Sequence, residues 1–252
     1  MTTTDVDLSV VIPAYNEEQR LGPTVAALAG FLAARPGRWE ILVVDDGSTD
    51  GTVALGAQLA ARWPALRVIA TTPNRGKGHA VRVGMLAARG ALVLMYDADG
   101  STPPSEIPRL LAPIQAGQAA VAIGSRYVAG ASSRSQPLWR RVWSRVANRF
   151  VRGTLVPGVR DTQCGFKAFT AAAARDLFGR ATVDGWAFDL EVLALARRLD
   201  HPVAEVGVAW TDDRRSRVRP LHDFWKALHE VAAIQRSLDP RRGPLRAGSN
   251  GH

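Results

Sequence analysis

The sequence predicts an α/β fold, with a mostly parallel central sheet and helices on both of its faces. Three observations carry this expectation. The first 125 residues alternate short apolar runs with longer stretches of helical spacing. The apolar runs are continuous rather than alternating, as in strands buried on both sides. Several of them stop at Pro or Asp, which strands disfavour.

The elements follow in order. Leu8 to Ile12 is a β-branched run that Pro13 is expected to end. Asn16 to Arg35 reads as a helix, with Leu21, Val25, Leu28 and Leu32 at helical spacing. Ile41 to Val44 is a second strand ending at Asp45-Asp46-Gly47-Ser48, and Thr52 to Trp63 a second helix. Leu66 to Ala70, Gly78 to Arg89 and Leu92 to Tyr96 continue the alternation, and Ala119 to Gly124 adds a short strand. Beyond it, Leu138 to Arg152 has one apolar face, with Trp139, Trp143 and Phe150, and one basic face. Such a helix suits a membrane interface or, equally, core packing with a solvated basic side. Ala187 to Arg198 is a further amphipathic helix, Pro202 to Trp210 a late strand and Asp223 to Leu238 a last helix. Residues 1–238 are expected to form one domain, and 239–252, rich in Pro, Arg and Gly, a disordered tail.

With 252 residues and 46% apolar content, the chain can bury an ample core. Cys164 is the only cysteine, so no intrachain disulfide forms, which fits a reducing compartment. No basic-then-apolar leader and no apolar run of about 20 residues is visible, so contact with a membrane is expected from its cytoplasmic side, as a peripheral protein. Net charge is +9, and residues 126–160 hold eight arginines and no Asp or Glu. Forked guanidinium groups suit phosphate, so nucleic acid, anionic lipid and a phosphorylated substrate are the candidate partners.

The chemistry concentrates at strand ends, where ligands of such sheets sit. Asp97 and Asp99 follow the fourth strand and are expected to point the same way. Two like charges this close are costly unless a cation lies between them, and hard oxygens suit Mg²⁺ or Mn²⁺. The alternative is a surface pair capping the next helix. Asp45-Asp46 offers acceptors for a nucleobase or a ribose, although Ser48 or Asp50 equally suits a helix cap. Asn74-Arg75-Gly76-Lys77-Gly78 lets backbone approach a ligand and supplies a cation, yet it is neither a P-loop nor a dinucleotide fingerprint. Cys164 reads as a buried, inert thiol, and the five histidines lack metal-ligand spacing.

Taken together, Val-Ile-Pro-Ala-Tyr-Asn-Glu-Glu (11–18), Val-Val-Asp-Asp-Gly-Ser (43–48), Asn-Arg-Gly-Lys-Gly (74–78), Asp-Ala-Asp-Gly (97–100) and Gly-Ser-Arg (124–126) resemble the family-two nucleotide-sugar glycosyltransferases of the GT-A fold. Arg-Asp-Thr-Gln-Cys-Gly-Phe-Lys (160–167) and Trp-Ala-Phe-Asp-Leu-Glu (186–191) narrow the resemblance to the dolichyl-phosphate β-glucosyltransferases, kin of the dolichyl-phosphate mannose synthases. The resemblance implies a nucleotide-sugar half over 1–125 and an acceptor half over 126–238. It implies that Pro13, Tyr15, Glu17, Asp46, Lys77 and Ala98 line the nucleotide site and that Asp97 and Asp99 hold the metal. In the mannose synthases a metal-contacting Gln often lies where this chain has Ser101. Arg126, Arg140 and Ser144 match positions that grip the lipid phosphate, and Arg217 stands where the family usually has Lys. Asp99, Arg126 and Asp161 are the implied catalytic residues, with orientation of an arginine or the sugar as the alternative role for Asp161.

The reaction implied is transfer of glucose from UDP-glucose to a polyprenyl monophosphate with inversion. GDP-mannose is the alternative donor. A soluble acceptor is a third possibility, and a basic module binding nucleic acid or anionic lipid is the reading from another class. Against nucleic acid stand the acidic clusters of the first half, which repel a polyanion.

Overall fold

A computed structural model describes residues 6–134, 156 and 158–211. The helices expected over 138–152 and 223–238 and the tail 239–252 lie outside the described residues. Five strands lead into the sheet in the expected order: β1 (Val6–Ala14), β2 (Trp39–Asp46), β3 (Leu66–Thr71), β4 (Gly90–Met95) and β5 (Val121–Ser125). Between them run α1 (Leu21–Ala33), α2 (Thr52–Arg62), α3 (Lys77–Ala87) and α4 (Ile107–Gln115). The second half contributes β6 (Ser132–Arg134), β7 (Lys167–Thr170), α5 (Ala171–Phe178), α6 (Phe188–Arg198), β8 (Val203–Gly207) and β9 (Ala209–Thr211).

Seven strands form one sheet in the order β3-β2-β1-β4-β7-β5-β8. All its pairings are parallel except those of β7, which runs antiparallel to both β4 and β5. Residues Ser9 to Ala14 of β1 and Glu40 to Asp46 of β2 are buried without alternation, because helices cover both faces. α3 packs on β1 and β2, and α5 on β4 and β7. β6 and β9 pair in parallel as a separate two-stranded ribbon.

The structure departs from the sequence expectation in four places. Pro13 does not end β1; it lies within the strand, opposite Val44. Val11 turns its carbonyl to β4, where Tyr96 N–H meets it at 2.9 Å. By the period of two, the ring nitrogen of Pro13 faces the same side, beyond the last β1–β4 rung at Val11–Met95, so no ladder bond is lost. The first helix starts at Leu21 rather than Asn16. Asn16 is left-handed (φ 55°), a conformation Asn tolerates, and its side chain accepts from Thr49 N–H at 2.9 Å. The late strand is two strands in different sheets, since Gly207 passes directly over Ala129 and Val208 N–H turns to Ser125 O at 3.1 Å. β7 has no counterpart in the sequence reading, and it is wedged between β4 and β5.

Two helical glycines separate packing from propensity. Gly84 of α3 lies against Val11 and Val44, where a methyl group overlaps Val11, whereas Gly30 of α1 has open space around it. Gly84→Ala is expected to lose about 1–2 kcal/mol, overpacking outweighing the helix gain. Gly30→Ala is expected to gain about 0.5–1 kcal/mol. Urea unfolding of the two variants checks both signs.

Candidate active site

Asp97 and Asp99 lie just past β4, in a turn closed by Gly100 N–H on Asp97 O at 3.3 Å. They are therefore not successive strand positions, yet the turn brings both carboxylates to one pocket, with Ser101, Gly165 and Trp210 in its wall. α1 steadies the turn through Thr24, whose hydroxyl donates to Ala98 O at 2.8 Å. Asp97 Oδ1 accepts from Lys77 Nζ at 2.7 Å. Asp99 takes only the backbone N–H of Ser101, at 2.9 Å, and has no cationic side chain in contact among the described residues. Ser101 Oγ is buried with no hydrogen-bond partner among them. No group of three or more His, Cys, Asp or Glu side chains able to hold a metal is found among the described residues. The chain thus offers two carboxylates and an orphaned hydroxyl, a hard-oxygen set that fits a divalent cation with further ligands from phosphate oxygens.

The cation at Lys77 is held by charge. Burial pulls its pKa down, but Asp97, Asp189 and Asp99 outweigh burial and hold it above the ordinary lysine range. Its ammonium also lies 5.2 Å from the centre of the Trp186 ring, a side chain 63% exposed. The glycines beside it serve a purpose other than the one expected. Gly76 (φ 119°) and Gly78 approach the backbone of residues 183–185, not open space, and a Cβ at either overlaps that backbone. Asp184 adds a double bridge, taking Arg75 Nη2 at 2.8 Å and Arg82 Nη2 at 2.6 Å.

α6 carries Asp189 and Glu191 in its buried first turn, not on a solvated surface. Asp189 accepts from Lys167 Nζ at 2.6 Å, and burial raises its pKa despite Lys167 and Lys77. Glu191 turns elsewhere and accepts from Thr182 and Val183 N–H groups at 2.9 and 2.8 Å.

Arg126 follows β5 and meets Asp161 three times. Its backbone N–H donates to Oδ2 at 3.0 Å, Nε–H to Oδ2 at 2.7 Å and Nη2–H to Oδ1 at 2.9 Å. Asp161 is 0% exposed, so its carboxylate is closed to solvent and committed to Arg126. Desolvation lowers the Arg126 pKa, but the bonds to Asp161 reverse this and hold it above the ordinary guanidinium value. The guanidinium stacks on Trp210 at 5.1 Å and on Tyr127 at 5.6 Å. Trp210 thus touches both the cation and the acidic pocket. Four residues past Asp161, Gly165 packs so closely on Asp97 that any side chain there overlaps its carboxylate.

The expected nucleotide residues divide. Pro13 is buried in β1, while Tyr15 is 47% exposed at its end. Glu17 is forked by Arg20 at 2.6 Å on each oxygen, and burial, helped by Asp99 and Asp97, raises its pKa against that fork. Asp46 is fully engaged. It accepts from Gly76 N–H at 2.6 Å and Arg75 N–H at 3.1 Å, with His79 Nδ1 at 3.2 Å, so it anchors the Lys77 loop. Its neighbour Asp45 binds Gly47 and Ser48 N–H groups through Oδ2, and its buried Oδ1 has no partner among the described residues. Sequence reasoning singled out Asp46, whereas the spare acceptor belongs to Asp45. Arg140, Ser144 and Arg217 lie outside the described residues. Glu205 and Trp210 were not foreseen; an acid and a tryptophan in a late apolar strand were the only signal.

Residues 9–178 match the family Glycosyl transferase family 2, across the acidic pocket, the Lys77 loop and the Arg126 clamp. The chain belongs to that family. As a family 2 glycosyltransferase it is similar to proteins named dolichyl-phosphate beta-glucosyltransferase. That of Drosophila melanogaster is 40% identical over 237 residues, 88% of this chain and 72% of the relative. The Homo sapiens protein is 39% identical over 88% of this chain and 71% of its own length. That of Saccharomyces cerevisiae is 34% identical over 92% and 75%. The fold is similar to a crystal structure of glucosyl-3-phosphoglycerate synthase from Mycobacterium tuberculosis in complex with Mn²⁺, uridine diphosphate and glucosyl-3-phosphoglycerate. The TM-score is 0.68 at 22% identity, over 92% of this chain and 79% of that one. Among the described residues, no helix of this glycosyltransferase is long and apolar enough to cross a membrane.

Burial, with Asp161 adding, pushes the Cys164 thiol up to about 12. The unfolded chain therefore ionises this thiol first, and stability is lost as pH rises above about 9. Above that pH the wild type is expected to lose up to about 1.4 kcal/mol per pH unit relative to Cys164→Ala. Urea midpoints of the two proteins between pH 8 and 10.5 check this.

Proposed function

We propose that this glycosyltransferase moves glucose from UDP-glucose to a polyprenyl monophosphate of the dolichyl type, with inversion at the anomeric carbon. The supporting observation is Trp210, which lines the Asp97–Asp99 pocket and stacks on Arg126. A pocket suited to a cation-bridged diphosphate and a guanidinium suited to a monophosphate are thus neighbours. The relatives named dolichyl-phosphate beta-glucosyltransferase favour glucose and a lipid phosphate. The Mycobacterium tuberculosis complex, which holds uridine diphosphate and Mn²⁺, favours a uridine donor and a divalent metal.

Each residue then has a task. Asp97 and Asp99 hold Mg²⁺ or Mn²⁺, with Ser101 Oγ available beside them. Bound there, the metal supplies Lewis-acid neutralisation of the departing diphosphate. Lys77 adds a second positive charge on the same side. Asp45 accepts from the nucleobase or ribose, with Pro13, Tyr15 and Glu17 around it, while Asp46 shapes the loop. Arg126 grips the acceptor phosphate, joined by Arg140, Ser144 and Arg217. The second phosphate pKa is near ~6, so the nucleophile is ionised at neutral pH without a general base. Its oxygen forms a bond to the anomeric carbon as the bond to UDP breaks, and UDP leaves with the electron pair. Catalysis is then alignment and charge stabilisation. Asp161, buried and committed, positions Arg126 and takes no proton. The arginines of 126–160 suit an anionic membrane surface, where the lipid acceptor resides.

Three experiments test this. Radiolabelled UDP-glucose and GDP-mannose, each offered with polyprenyl phosphate and Mg²⁺, are expected to label the lipid phase from UDP-glucose alone. Absence of label from both overturns the activity. Asp99→Asn is expected to cut transfer by about 10²–10³-fold with an unchanged melting temperature. Lys77 donates to Asp97 Oδ1 at 2.7 Å, so it competes with a metal for that oxygen. Lys77→Gln is expected to tighten Mn²⁺ binding without nucleotide and to weaken UDP binding with Mn²⁺, both read by calorimetry.

A further inference from the structure

Glu205 lies within β8, opposite Ile123 of β5, in the run Val203-Ala204-Glu205-Val206-Gly207. Glu205 is half-buried there, on the edge strand of the sheet. Its oxygens accept from two successive backbone N–H groups, Arg160 at 2.9 Å (Oε2) and 3.1 Å (Oε1), and Asp161 at 2.8 Å (Oε1). The peptide between those residues is therefore pinned to the sheet. Asp161 follows directly, and its side chain makes the three bonds to Arg126. Those bonds use the Nε–H and one Nη2–H of the guanidinium, and Nη1 has no hydrogen-bond partner among the described residues. Among the described residues, three donors of a forked group are left for a ligand, on a cation in contact with the Tyr127 and Trp210 rings.

We propose that Glu205 is a positioning residue for the acceptor phosphate. By tethering the Arg160–Asp161 backbone it sets the Asp161 carboxylate, and through it the direction of the free guanidinium edge of Arg126. This rests on the assignment of Arg126 to the acceptor phosphate. The backbone of Arg126 is already fixed by β5; what Glu205 fixes is the far end of the clamp. Arg160 is exposed, so its N–H turns to water when the tether is lost, and the peptide then no longer holds the wholly buried Asp161 carboxylate in one direction.

The test uses Glu205→Gln, in which the amide NH₂ faces one of the two N–H donors, and Glu205→Asp, which keeps both acceptor oxygens on a shorter stem. The Arg126 Nε–H proton, identified in ¹H–¹⁵N spectra by its absence from Arg126→Lys, reports the clamp directly. Its exchange with water is expected to rise about tenfold or more in Glu205→Gln, and less in Glu205→Asp. Titration with inorganic phosphate is expected to shift this resonance in the wild type and to require a higher concentration in Glu205→Gln. In the transfer assay Glu205→Gln is expected to raise KM for polyprenyl phosphate about tenfold, with kcat and KM for UDP-glucose within about twofold. Unchanged Nε–H exchange in Glu205→Gln overturns the proposal. So does a uniform fall of all kinetic constants together with the melting temperature, which marks a merely structural side chain. If the wild type transfers no glucose to polyprenyl phosphate, the transfer activity falls, while the exchange and phosphate titrations still decide whether Glu205 aims Arg126.

Discussion

Asp161 holds a full negative charge with no surface in water, and Arg126 is what makes that tolerable. A buried carboxylate without a partner costs several kcal/mol, so the pair must form whenever this part of the chain folds. The rest of the site inherits its geometry from that requirement. Arg126 follows the end of β5, and its guanidinium lies on Trp210. The segment leaving Asp161 reaches Gly165 against Asp97 within four residues. The cationic and acidic sides of the cleft are thus set at one spacing by a single short stretch of backbone.

Charge alternates through the same region. Lys77 sits on Asp97, Lys167 on Asp189 and Arg126 on Asp161. Such mating lets a chain of net charge +9 assemble a cluster of acids without collapse. Asp99 stands apart, satisfied only by a backbone N–H among the described residues. With the buried, orphaned Ser101 hydroxyl beside it, Asp99 belongs to the hard-oxygen set that fits a divalent cation.

The parallel strands were legible because burial on both faces writes itself as uninterrupted Val, Ile and Leu. The motif residues were legible because they stand where those runs stop. What the sequence hid depends on distant partners. β7 is only Lys167–Thr170, and its neighbours come from far along the chain, so no local pattern announces it. Asp45 and Asp46 are chemically equal in sequence. Only the fold of the Lys77 loop decides that Asp46 is occupied and Asp45 keeps a spare oxygen. Pro13 misled because its ring nitrogen is harmless on the side where the ladder has already ended. The glycines at 76 and 78 advertised close approach correctly, but the approaching group is the chain itself.

The antiparallel course of β7 has a further effect. β5 ends at Ser125 and β7 begins at Lys167, with Ile123 and Lys167 on the same rung. The long excursion between them leaves and re-enters the sheet at adjacent strands on one rim. Lengthening such a detour costs little, about 0.6 kcal/mol for each doubling of a flexible loop. Its interior can therefore diverge, or be exchanged for another, while its two feet keep Arg126 and Asp161 in register. A lineage built on this sheet can rewrite that one detour and leave the strands on either side of it untouched.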